Sequence, residues 1–238
     1  MPPPTPPADA SHDAAGFWPR AAAWLIDAAL VALPVTLLIL LLRDDGVPSL
    51  PEQWQQLGAA TGRAAMASAD RGDSMAMMLQ SWMSPTGPVR PAITAFVSSL
   101  YAAAWPAVAL FVLIGLLYWP LQEAGRHHAT FGKRALGLRV EGAEGARPGP
   151  ARAYRRHVAG TLSWLTLNIG HLLAARPPGH RALHDRIAGT RVAWREDASR
   201  RVPGWGWLAI VIACVLPVVV AVWAAMSLSA AMQAAMGL

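Results

Sequence analysis

Asp27 is the only formal charge in the run from Ala21 to Leu42, which holds twelve Leu, Ile and Val residues. A helix needs about 20 apolar residues to cross the hydrocarbon core of a bilayer, so this run is long enough to span. A carboxylate at mid-span costs about 2.5–3.5 kcal/mol on insertion scales, and each Leu, Ile or Val returns about 0.3–0.6 kcal/mol. The run therefore inserts in spite of the acid. Two chemistries are open to such a group: exchanging a proton or cation on an ion path, or fastening its helix to another through a buried polar contact. Both require a partner. Arg20 stands seven residues earlier on the same helix face, but seven residues rise about 10.5 Å. Arg20 then belongs at headgroup level, with water or a third group between it and Asp27.

The rest of the chain must bring that third group. Hydrophobic residues make up 54% of the 238 and charged residues 14%, well below the roughly 25% charged residues of soluble domains. Ala21 to Leu42, Ile93 to Leu121 and Trp205 to about Met226 read as membrane spans. A fourth stretch, His157 to Ala175, is marginal because it includes His157, Asn168, His171 and two glycines. Residues 43–92 hold four basic and five acidic residues, whereas 122–156 hold eight basic residues and 176–204 hold seven. The latter two segments are the expected cytoplasmic ones, which puts the N-terminus in the cytoplasm and 43–92 on the outer side.

A full crossing by 157–175 would put the two most basic segments on opposite faces. A re-entrant helix pair, turned by Gly170 and by Pro177, Pro178 and Gly179, keeps them together. The alternating stretches GLRVEG (137–142) and GTRVAW (189–194) favour the same arrangement, because two short strands that pair must share a side. The expected fold is all-α and integral to the membrane: three transmembrane helices, a re-entrant or fourth helical segment, and a small cytoplasmic β-hairpin-like pairing. Helix is also expected around Pro51–Gly58 and Ala69–Met83 in the outer segment. Residues 1–16, rich in proline, read as a disordered leader.

Several chemistries fail on residue type or spacing. The positive charge of +6 is explained by topology and does not indicate nucleic acid. Cys214, the only cysteine, has no disulfide partner in the chain. Adjacent His127 and His128 are poorly spaced for a closed zinc site. Met75, Met77, Met78 and Met83 lack the histidine or cysteine neighbours that would favour copper, and they read as packing. No nucleophile motif, phosphate loop or dinucleotide fingerprint is present, so neither catalysis nor a cofactor is expected.

The stretches GFWPRAAAWLIDAALV, TFGKRALGLRV and RALHDRIAGTRV together resemble the RDD family of bacterial membrane proteins. The resemblance runs from Phe17 to Trp194, interrupted by 43–92, and aligns the family's arginine and two aspartates with Arg20, Asp27 and Asp185. It implies a membrane protein linked to ligand transport, with cation and proton exchange in some members. Lys133, Arg134 and His184 are the supporting candidates for a cluster around these three. The expected division is a leader at 1–16, a membrane domain at 17–195 with an outer insertion, and an added span and tail at 196–238. The expected partners are the lipid bilayer and either further copies of the chain or another membrane protein. A transport path and a structural clasp in a scaffold both remain open to such a cluster.

Overall fold

The computed structural model describes residues 13–42, 49–142, 145–177 and 179–237. The element order is α1 (Phe17–Leu41), α2 (Leu50–Asp70), α3 (Met75–Met83), α4 (Arg90–Ala124), α5 (Phe131–Ala135), β1 (Leu138–Glu141), α6 (Pro150–Leu165), α7 (Ile169–Leu172), α8 (Leu183–Ala188), β2 (Arg191–Trp194) and α9 (Gly204–Met236). Helices α1, α4 and α9 have 25, 35 and 33 residues and are long and apolar enough to cross a membrane. Their leucines and valines, such as Leu37, Leu113 and Val218, stay exposed, as lipid-facing side chains do. The architecture is thus helical, with three candidate spans, a bent helix pair and a two-stranded sheet.

Two compact units form. One consists of the described residues within Met1–Val35 and Leu110–Ala213, the other of those within Thr36–Ala109 and Cys214–Leu238. The first is built on the sheet, where β1 and β2 run antiparallel with Leu138 opposite Trp194 and Val140 opposite Val192. Leu138, Val140 and Val192 are fully buried with Ala15, Ala22 and Ala23 of the N-terminal region, Leu136, and Ile210 of α9. The period-2 alternation read from the sequence therefore serves a genuine core face.

Strands hydrogen-bonded to each other lie on one side of a bilayer. The chain between β1 and β2 cannot then cross an odd number of times. Helix α6 ends at Leu165, the backbone takes positive φ at Leu167 and Asn168, and the following helical segment, Ile169–Ala175, leaves at 116° to it. The pair is sharply bent, the geometry of a re-entrant loop or of a broken span.

Three boundaries differ from expectation. Helix α4 runs past Leu121 to Ala124, because Gln122, Glu123 and Ala124 are good helix formers, and this carries Glu123 on the helix. Between α1 and α4 the helix expected over Ala69–Met83 is split: Gly72, at φ 72°, turns the chain, and Ser74 caps α3 by accepting from the Met77 amide. At the start of the chain, residues 1–12 of the expected leader lie outside the described residues. Its last residues are ordered on the sheet, where the Ala15 amide donates to the Val192 carbonyl at 2.9 Å and the Trp194 amide to that of Asp13 at 2.8 Å. The free edge of β2 recruits them, since unpaired backbone groups there would otherwise need another partner.

The second unit packs α2 on α9. A capping box starts α2, with the Glu52 carboxylate accepting from the Ser49 amide and Ser49 Oγ from the Glu52 amide. The Trp54 indole N–H donates to the Ala224 carbonyl at 3.0 Å on α9, and the ring lies 5.0 Å from that of Phe96 on α4.

Candidate functional site

Asp27 is fully buried on α1 and its carboxylate accepts three hydrogen bonds. The Tyr118 hydroxyl of α4 donates to Oδ1 at 2.8 Å, the Gly132 amide of α5 to Oδ1 at 2.7 Å, and the Thr130 hydroxyl to Oδ2 at 2.5 Å. The local sequence TFGK makes this possible. Thr130 is the N-cap of α5, and the next free amide of the helix start, on Gly132, points outward at the acid. Glycine is required at 132 because a Cβ there would overlap the Ala23 carbonyl oxygen and stand 3.0 Å from the Asp27 carboxyl carbon. Only a bare backbone comes this close to α1.

From Thr130 the network continues through charges. Lys133 Nζ lies 3.4 Å from Thr130 Oγ1 and donates to Glu123 Oε1 at 2.9 Å. The other oxygen of Glu123 pairs with Arg156 Nε of α6 at 3.0 Å. Arg156 also pairs with Asp185 of α8 and donates to Thr190 Oγ1 at 3.2 Å. Asp185 in turn pairs with Arg20 of α1 and accepts from the Ala182 amide at 2.9 Å. Arg20 completes its fork on the carbonyls of Ala15 at 2.9 Å and His180 at 2.5 Å.

Three basic and three acidic side chains are thereby enclosed in one network, and their formal charges balance. Enclosing charges is costly. The mutual attraction repays desolvation only where geometry is good and the remaining donors and acceptors are satisfied, as they are at each carboxylate here.

Of the residues singled out from the sequence, Arg20 and Asp185 meet directly. Asp27 meets neither; a hydroxyl and an ammonium separate it from the ion pairs. Lys133 is the cation that comes nearest to it through Thr130. Arg134 is exposed on α5 and takes no part in the network among the described residues. His184 is at the edge, with Nε2 3.8 Å from Asp185 Oδ1 and its ring 5.1 Å from that of His171. Burial, and after it the Arg156 charge, holds the His184 imidazole well below its ordinary pKa, so it sits there neutral. Gly137 takes φ 71°, and a Cβ there would stand 2.6 Å from the Ala198 Cβ.

Sequence reasoning missed Glu123, Arg156, Tyr118 and Thr130. Glu123 lies just past an apolar run and Arg156 within a basic segment, where each looks like an ordinary boundary charge. One signal was available for Thr130: a threonine directly before an apolar residue, here Phe131, is a helix N-cap pattern.

Three membrane-length helices and a bent helix pair, with a charge network tying α1, α4, α5, α6 and α8 together, define a multi-pass membrane protein with a buried polar cluster. It belongs to the RDD family, which residues 14–189 match. It is also similar to "Uncharacterized protein YxaI" of Bacillus subtilis (strain 168), with 25% identity over 181 residues, covering 76% of this chain and 97% of that protein. No solved structure matches.

Proposed function

We propose that this is a non-enzymatic protein of the bacterial inner membrane, N-terminus in the cytoplasm, that takes part in moving an ion or small solute with Asp27 as the exchanging group. One observation carries this reading: Asp27 is held by a phenol, a hydroxyl and a backbone amide, all of them neutral donors. The two other carboxylates of the network are committed to basic partners. A group caged by neutral donors can trade a proton for a cation without breaking a salt bridge, while the ion-paired residues maintain the frame. Three spans are few for one path, so the active form would be an oligomer.

In liposomes the purified protein is expected to support a proton-coupled cation flux that Asp27→Asn abolishes while the fold survives. Absence of flux for every alkali cation tried would move the assignment to the second reading. That reading, a scaffold whose network is a clasp, is favoured by the complete burial of Asp27. Cross-linking of residues 49–92 to a different membrane protein would be its positive sign.

Orientation has its own test. With Cys214 replaced by serine, a cysteine introduced at Arg181 or at Arg195 is expected to resist membrane-impermeant thiol reagents in intact cells and to react once the cells are opened. Labelling of either in intact cells would reverse the proposed topology.

A further inference from the structure

A cavity of about 440 Å³ opens in the second unit, lined by α2, α3, the start of α4 and the C-terminal half of α9. Its volume lies within the roughly 300–1,000 Å³ of small-molecule sites. The wall is apolar, formed by side chains such as Leu57, Leu79, Ile93 and Leu228, and Arg90 is the one charged residue on it. Among the described residues no carboxylate pairs with the Arg90 guanidinium. Trp82 lies in the same wall and adds its ring to the apolar lining. The second favourable element is α4 itself, a 35-residue helix that begins at Arg90 and directs the positive end of its dipole there.

These features specify the ligand chemically. A cation with no acidic partner among the described residues and a helix start converge on an anion, and the apolar wall beside them suits a hydrocarbon chain. Arg90 is the first residue of a membrane-length helix, at the level where headgroups lie. We propose that this cavity holds one anionic phospholipid of the surrounding bilayer, its phosphate on Arg90 and an acyl chain between Leu57, Leu79, Ile93 and Leu228. The site is independent of Asp27 and of the transport reading.

Native mass spectrometry of the full chain released from bilayers of mixed phosphatidylglycerol and phosphatidylcholine tests this. The expected result is one phosphatidylglycerol retained per chain with about tenfold preference, the equivalent of one charge-assisted contact. Arg90→Gln should remove the preference and Arg90→Lys should keep most of it. Ile93→Trp, which fills the cavity, should lower retention of both lipids, and Arg63→Gln, exposed on α2 outside the cavity, should change nothing. Equal retention of the two lipids, an unaltered preference in Arg90→Gln, or the same loss in Arg63→Gln would overturn the proposal. So would displacement of the lipid by inorganic phosphate alone, which would show that the chain plays no part. Circular dichroism of each variant confirms that it is folded.

Discussion

Arg156→Met is expected to cost about 3–5 kcal/mol, the range found when one member of a buried ion pair is removed. Domains are stable by only about 5–15 kcal/mol in total, so most of the margin would go. The reason is stoichiometric. Arg156 serves Glu123 through Nε and Asp185 through another nitrogen, and its loss leaves both buried carboxylates with one cation each and a void where the fork lay. Thermal unfolding in detergent should show the effect against Arg139→Met. There Glu141 keeps Arg191 as a partner and the arginine is partly solvated, so the cost should stay below about 1 kcal/mol. Arg156→Lys should recover less than half, because a single ammonium cannot span both acids as a planar guanidinium does. Equal losses in the 156 and 139 methionine variants would show that the network does not hold the bent pair.

That dependence explains what could be read from the sequence. The spans, the acid in the first of them and the two alternating strands follow from local patterns, whose periods and lengths are imposed by helix, sheet and bilayer. Strand pairing was legible because residues 137–142 and 189–194 each need a partner and resemble each other. The contacts of Glu123 and Arg156 were not, because a charge just outside an apolar run has the same local pattern whether it meets water or another charge. What decides between the two is where α6 packs: its first turns set Arg156 against Glu123 of α4 and Asp185 of α8, away from solvent. Asp27 shows the same limit. Its need for a partner was evident from its depth, and a basic partner was the natural expectation. The neutral cage arises because a glycine, two residues after the Thr130 cap, lets the start of α5 approach α1 more closely than a lysine head could.

Gly132→Ala is therefore expected to be more damaging than removing the charge of Asp27 itself. The added methyl group would overlap the Ala23 carbonyl oxygen, a backbone atom that cannot turn aside, so α5 must withdraw from α1. Overpacking of this kind costs about 1–3 kcal/mol. Withdrawal also lengthens the 2.7 Å bond from the Gly132 amide to Asp27 and drags the Thr130 hydroxyl from the other oxygen. Loss of a hydrogen bond to a buried charged group adds about 1.5–3 kcal/mol. A total of about 2.5–6 kcal/mol follows from these two effects. Asp27→Asn keeps an oxygen for Tyr118 and Gly132 and turns only an N–H toward Thr130, whose oxygen already accepts from Lys133; about 1 kcal/mol is expected. The two changes share one contact, so the double variant should be less damaged than the sum of the singles. Unfolding midpoints in detergent measure all three. A Gly132→Ala protein as stable as the parent would mean that α5 does not lie against α1, and the cage around Asp27 would fall with it.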